Sequence, residues 1–293
     1  MDGLSSKISL KKNYRYYFLV LLFAVAVLVW YAVFCESRAG AEIYFLDVGQ
    51  GDAAFIEASN GNQVLIDGGP DRKVLSELSK VMPFYDHSID VLIESHPDAD
   101  HIAGLIEVLK NYKVGAIIEP GTVSDSSVYV ELENLIKEKR VKKFILSSGA
   151  KIDLGNGAYF DVLLPPAGAD TSKMSSHDGI LVLKLYYGNN SFLFTGDMEN
   201  KMENYLVSTD SAGLKSDVLK IGHHGSKTST SELFLGWVQP QYAVISVGKD
   251  NKYGHPTQEI LDRLVQFKIP ILRTDEKGTI EIKTDGENLK VAN

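Results

Sequence analysis

Residues 95–104 read Ser95-His96-Pro97-Asp98-Ala99-Asp100-His101-Ile102-Ala103-Gly104. Two histidines and two aspartates fall within this short stretch. A strand-like apolar run, Val91-Leu92-Ile93, leads in, and a helix-like run from Ile102 to Leu109 leads out. On extended chain, residues two apart face the same way. His96, Asp98 and Asp100 are therefore expected to point into one pocket, with His101 brought round from another side by the turn into the helix. One strand-to-helix corner then offers four ligands to two adjacent cations. Such a pair, ~3.5–4 Å apart, activates a water and holds both oxygens of a displacement.

The flanking sequence repeats this alternation of strand and helix. Short apolar runs at 43–46, 54–56 and 64–66 read as strands, and Asn60-Gly61 marks a hairpin. Helices are expected over 73–81, 102–109 and 127–140, and a strand over 115–119. In the second half, strands are expected over 159–164, 180–187, 191–195, 218–222, 243–247 and 271–274, with a helix over 257–267. Two sheet-forming halves with intervening helices predict a layered α/β protein with one shared core over residues 42–293.

The chain has seven histidines. Six sit at element ends beside acids, glycines or polar residues: His96, His101, His177, His223, His224 and His255. Only His87 stands apart. Clustering of this kind is the usual mark of a metal or catalytic centre. Leu193-Phe194-Thr195-Gly196-Asp197 is a strand ending on an acid suited to bridge two metals; taken alone, Asp197 reads as the N-cap of a helix over 198–206. Residues 218–226 form a strand ending in His223-His224, followed by Ser226, Lys227, Thr228 and Ser229 as donors for phosphate oxygens. His255 lies in the turn Asn251-Lys252-Tyr253-Gly254-His255-Pro256, ahead of a helix, placed to reach a substrate oxyanion or to be a plain turn residue.

The N-terminus is of another kind. Residues 1–15, a cytoplasmic tail, carry Lys7, Lys11, Lys12 and Arg15. Residues 16–34, YYFLVLLFAVAVLVWYAVF, hold no charge. At ~1.5 Å per residue this run nearly matches a ~30 Å hydrocarbon core, and Tyr16, Tyr17, Trp30 and Tyr31 fit an aromatic belt. The apolar core of a cleaved signal peptide is shorter, so the run is expected to remain as an anchor. The positive charges ahead of it place the N-terminus in the cytoplasm and the rest outside, across a linker at 35–41. Cys35, the single cysteine, excludes an internal disulfide and a cysteine-based zinc site. It reads as a membrane-edge residue. Residues 41–293 hold 36 acids against 25 bases, which weakens, without excluding, a nucleic-acid substrate.

Six motifs now stand in order: Phe45 to Ala53 (FLDVGQGDA), Leu65 to Gly69 (LIDGG), His96 to His101, Thr195 to Asp197, Gly222 to Ser226 and Tyr253 to Pro256. Together they resemble the metallo-β-lactamase superfamily and, more narrowly, the hydrolase domain of the competence protein ComEC and its stand-alone relatives, over roughly residues 42–285. The superfamily usually has histidine where Asp98 stands; the ComEC-like branch has aspartate. The resemblance implies a four-layer αββα sandwich, here preceded by one transmembrane helix, and a metal-dependent hydrolase with phosphodiesterase or nuclease activity. ComEC itself also carries a multi-helix channel, whereas this chain shows one span and cannot form a DNA pore alone.

The ligand sets expected on that basis are His96, Asp98 and His177 for one metal, and Asp100, His101 and either His223 or His224 for the second, with Asp197 bridging. His177 stands in Ser175-Ser176-His177-Asp178-Gly179, where the branch is commonly asparagine-rich, and restores a ligand. The metals are two divalent ions, zinc or manganese. Asp100 and the metal-activated water are at the centre of the chemistry. Asp47 and Asp67 orient ligand histidines, while His255, Lys220 and the 226–229 loop steady a phosphodiester, DNA among the candidates. A cell-wall phosphoester such as choline phosphate on teichoic acids is the competing substrate, and a catalytically inactive DNA- or envelope-protein-binding module the competing non-enzymatic reading.

Overall fold

The computed structural model describes residues 14–37 and 40–292, with the side chains of 32–37 left aside. Lys7, Lys11 and Lys12 lie outside the described residues, as does the Cys35 side chain. Helix α1 (Tyr14–Ser37) has 24 residues, about 36 Å at the α-helical rise. Over Tyr14–Tyr31 its mean hydropathy is 1.7 and none of it is buried. It is a candidate transmembrane span by length and composition, and it forms a compact unit separate from the one that begins at Gly40.

In the second unit, strands β1 (Ala41–Phe45), β2 (Ala54–Glu57), β3 (Gln63–Ile66), β4 (Ser88–Ile93), β5 (Lys113–Glu119) and β6 (Lys142–Ile145) alternate with helices α2 (Lys73–Val81), α3 (Ala99–Asn111) and α4 (Ser127–Lys139). Then come β7 (Lys151–Gly155), β8 (Ala158–Leu164), β9 (Val182–Tyr187), β10 (Asn190–Phe194), α5 (Asn200–Asp210), β11 (Val218–Lys220), α6 (Glu232–Val238), β12 (Tyr242–Ile245), α7 (Gln258–Gln266), β13 (Ile271–Arg273), α8 (Thr274–Lys277), β14 (Ile280–Thr284) and β15 (Leu289–Ala292). One sheet has the order β15-β14-β1-β2-β3-β4-β5-β6, the other β13-β12-β11-β10-β9-β8-β7.

Strand alternation builds three apolar layers. Ile43, Phe45, Ile56, Ile66 and Ile93 face Phe160, Leu183, Phe192 and Phe194 between the sheets. The intervening residues Leu46, Phe55, Leu65 and Leu92 pack outward on α2, α3 and α4. Leu193, Leu219, Ala243 and Ile245 pack outward on α5, α6 and α7. Phe45 and Phe194 stack across the sheets with centroids 5.7 Å apart. Each such fully buried aromatic ring contributes about 1.5–3 kcal/mol. The result is a four-layer αββα sandwich.

Strands β3 to β6 run parallel, as do β10 to β13. Their carboxyl ends meet at one edge of the sandwich, where ligands bind in open α/β sheets. Helix α3 begins at Ala99, three residues before the expected Ile102, so Asp100 and His101 belong to its first turn and Asp98 is its N-cap residue. Helix α5 begins at Asn200 behind Glu199, so Asp197 is not its N-cap. Elements β6, β7, α6, α8, β14 and β15 have no counterpart among the elements the sequence predicts.

Candidate metal centre

Asp67 organises the corner. Following β3, its carboxylate accepts from the Ser95 N–H at 2.8 Å, the Ser95 hydroxyl at 2.7 Å and His101 Nδ1 at 2.9 Å. Ser95 Oγ also lies 2.9 Å from His96 Nδ1. Its one hydrogen is committed to Asp67, so His96 Nδ1–H donates to it. His224 Nδ1 lies 2.9 Å from the Ser246 carbonyl, which can only accept. All three imidazoles are thus held with Nδ1–H turned away, leaving the Nε2 lone pair for the pocket. This outer hydrogen bonding is what orients metal-ligating histidines.

Those three Nε2 atoms are buried and have no hydrogen-bond partner among the described residues, and neither has Asp197 Oδ1. Asp100, His101, Asp197 and His224 bring one donor atom each within 4.8 Å of one another, and so do His96, His177 and Asp197. Asp197 is common to both groups. His101 Nε2 is 3.3 Å from Asp197 Oδ1, and His224 Nε2 is 3.4 Å from Asp100 Oδ2. Asp98 Oδ2 is 3.6 Å from His96 Nε2 and 3.3 Å from His177 Nε2. Donors bound tetrahedrally at about 2.0–2.1 Å from a cation lie about 3.3 Å apart, so these spacings are those of ligands around a shared ion. The residues present fit a pair of divalent cations.

The charge balance agrees. Burial alone would pull His101 and His224 down, but carboxylates win. Asp197 and Asp67 lift His101 well above the usual imidazole range, and Asp197, Asp52 and Asp100 push His224 up to about 9. Against the upward push of burial, His224 and His101 hold Asp197 well below the carboxylate range, and His177 and His96 do the same for Asp98. The pocket is built to receive positive charge.

Two glycine-rich segments allow this approach. A Cβ on Gly104 would come within 1.8 Å of the Gly68 carbonyl oxygen, so α3 can dock on the Gly68-Gly69 turn only with glycine there. Gly68 N–H donates to the His101 carbonyl at 2.7 Å. In Gly222-His223-His224-Gly225, both histidines have positive φ, 46° and 53°. Each such non-glycine residue costs about 1–3 kcal/mol, strain that is typical of functional sites. It sends the two imidazoles to different places. His224 is buried with Asp100, His101 and Asp197, while His223 is partly exposed, with Nε2 3.6 Å from Asp197 Oδ2 and Nδ1 3.4 Å from Glu199 Oε1.

Three sequence expectations are corrected. Lys220 does not face a substrate: it is 3% exposed, its ammonium ion-paired with Asp52 and donating to the Gly196 carbonyl at 3.1 Å. Asp47 meets no histidine among the described residues and pairs instead with Lys73 at 2.9 Å. In the 226–229 loop, buried Ser229 donates to the Gly222 carbonyl at 2.7 Å and Thr228 to Glu199 at 2.9 Å; Lys227 is the exposed member, and Ser226 is buried. His255 lies at the rim, its ring 5.8 Å from that of His223.

The sequence reading missed Asp52, Ser95, Glu199 and the Ser246 carbonyl. Asp52 follows a glycine turn at a strand start, a signal that was available. Its Oδ1 is 3.4 Å from His224 Nδ1. Glu199 lies 3.5 Å from His177 Nδ1 as well as beside His223, and no local pattern distinguishes it from a helix-capping acid.

Comparison with known proteins places this geometry. Residues 46–249 match the family model of the metallo-beta-lactamase superfamily, and the chain belongs to that superfamily. Within it the chain is ComEC-like. It is 36% identical to ComE operon protein 3 of Bacillus subtilis (strain 168), over 85% of this chain and 34% of that protein. It is 31% identical to Recombination protein 2 of Haemophilus influenzae, over 87% of this chain and 30% of that one. The chain thus spans about a third of the length of the curated relatives it matches. Igni18, a metallo hydrolase from Ignicoccus hospitalis, shares the fold at a TM-score of 0.51 with 13% identity, over 82% of this chain and 98% of that one.

Proposed function

We propose that the chain is a membrane-anchored hydrolase that cleaves phosphodiester bonds outside the cytoplasm. The observation that carries the hydrolytic reading is the convergence of three buried, fixed Nε2 atoms with Asp197 Oδ1 at the sandwich edge. His96, Asp98 and His177 would hold one divalent cation and Asp100, His101 and His224 a second, with Asp197 available to both sets. When bound, two such ions supply Lewis acidity and a nucleophilic water at neutral pH. Both zinc and manganese suit this set, and its carboxylates favour the harder ion.

The chain's own contribution is orientation. Asp67 sets His101 and, through Ser95, also His96; the Ser246 carbonyl sets His224. Lys220 neutralises Asp52 beneath them. His223 and His255, partly exposed at the mouth, are the imidazoles that meet a substrate oxygen. Helix α1 supports anchoring, and Arg15 with the lysines before it supports a cytoplasmic N-terminus.

The detergent-solubilised full chain, loaded with zinc or manganese, is expected to hydrolyse bis(p-nitrophenyl) phosphate and single-stranded DNA. Asp100→Ala is expected to lower turnover at least 100-fold. Absence of turnover with either metal on these substrates and on a choline-phosphate ester would sink the enzymatic reading. Turnover of the choline ester alone would move the substrate to the cell wall.

A further inference from the structure

A shelf at the mouth of the metal centre bears on what the phosphodiester is attached to. Tyr253 is 58% exposed. Its ring stacks on that of His255, with centroids 6.0 Å apart and an interplanar angle of 26°, and His255 in turn lies 5.8 Å from the His223 ring. A run of rings therefore leads from solvent toward the ligand cluster, with the exposed Tyr253 at its outer end. An exposed tyrosine alone is commonplace; this one is held in place. Asn251 accepts from the N–H groups of Tyr253 and His255 at 3.1 Å each, and donates to the carbonyls of Gly248 at 3.1 Å and His255 at 2.6 Å. One side chain thus fixes both ends of the turn that presents the ring.

Residues 249–253 carry two lysines and one aspartate, against the acidic balance of the unit as a whole, and Lys227 lies in the loop after His223-His224; Glu199 is the acid beside His223. Lys227, Lys249 and Lys252 are exposed, and none has an ion-pair partner among the described residues. Asp250 is the one acid within residues 249–253. Lys252 Nζ lies 5.3 Å from the centre of the Tyr253 ring. That ammonium repels a quaternary ammonium approaching the same ring, so the shelf is a poor seat for choline. It attracts the phosphates that flank a nucleobase. Aromatic faces combined with a cationic track are how proteins hold single-stranded nucleic acid.

Building on the phosphodiesterase reading, we propose that Tyr253 is the stacking platform for a nucleobase next to the scissile phosphate, with Lys227, Lys249 and Lys252 on the adjoining phosphates. The substrate is then single-stranded nucleic acid.

The test compares a short single-stranded oligonucleotide with an abasic strand of the same length, which keeps the phosphates and loses the bases. Binding to the full chain is measured by fluorescence anisotropy, and cleavage by the manganese-loaded chain is measured alongside. The wild type is expected to favour the base-bearing strand on the order of ten-fold in Kd and KM. That preference collapses toward one in Tyr253→Ala and survives in Tyr253→Phe. Equal affinity of the wild type for the two strands, or an unchanged preference in Tyr253→Ala, overturns the proposal. If both strands are cleaved but indiscriminately, the shelf fails while the phosphodiesterase reading stands. If neither strand is cleaved, that reading fails and the binding ratio still decides the shelf. Turnover of p-nitrophenylphosphorylcholine with no binding of either strand assigns the mouth to cell-wall phosphoesters and overturns it too.

Discussion

At the scale of single residues, the weight falls on small and outer groups as much as on the ligands. Gly104 is the clearest case. Alanine in a helix ordinarily stabilises by up to about 1 kcal/mol over glycine. Here its Cβ would strike the Gly68 carbonyl, so Gly104→Ala is expected to destabilise by about 1–3 kcal/mol and to shift His101, whose carbonyl the Gly68 N–H holds. Thermal unfolding of the solubilised chain checks the sign; a variant as stable as wild type means the helix has another way to dock. Much at this scale was legible beforehand, because His96, Asp98, Asp100 and His101 stand out by type and spacing; Asp197 stood out only in the company of the other motifs, and the sequence left open which of His223 and His224 joins them. What was not legible is direction. Lys220 and Asp47 looked like active-site groups because they stand beside motifs. Lys220 follows Val218 on the inter-sheet face of β11, but at that edge Asp52 from a distant loop captures its ammonium.

At the scale of elements, helix starts and edge strands were the least readable. Helix α3 gains a turn because Asp98 stands in extended conformation as its N-cap, converting an expected strand end into the first helical turn. Strands β14 and β15 join the first sheet only through pairing with β1 more than 200 residues away, which no local pattern encodes. One consequence of element packing is testable by pH. Glu119 at the end of β5 pairs with Lys143 of β6 at 2.5 Å, and Lys143 also meets Glu133 of α4. Burial pushes the Glu119 carboxyl up to about 7 despite the pull of Lys143; Glu133 and Tyr129 of α4 also face this cluster. The folded state therefore keeps a proton that the unfolded chain, near 4.5, has released. Stability is expected to fall as pH rises from 4.5 to 7 on this account. Glu119→Gln should shrink that fall, with a remainder from buried Glu94, itself raised well above its usual range by burial and by Glu119. An unaltered pH profile of the melting temperature would show that Glu119 is charged throughout.

At the scale of the whole molecule, alternation signalled a layered α/β protein, since two sheet-forming halves, each with its own helices, bury both faces only as layers; the αββα order itself came from the resemblance of the six motifs. The three apolar layers bear this out. The anchor adds a topological expectation. Protease added to intact cells is expected to degrade the unit that begins at Gly40 and to spare an epitope placed at the N-terminus; protection of that unit in intact cells would reverse the proposed orientation. Every functional statement, however, depends on cations at the sandwich edge. The most direct test is the divalent-metal content of the purified full chain after loading with zinc or manganese and desalting. About two ions per chain are expected. Asp67→Asn, which cannot accept all three of its hydrogen bonds and so frees His101 and His96, should weaken retention by about 10–100-fold. A wild-type chain that retains no divalent metal, or an Asp67→Asn chain that retains it as tightly as wild type, would contradict the account.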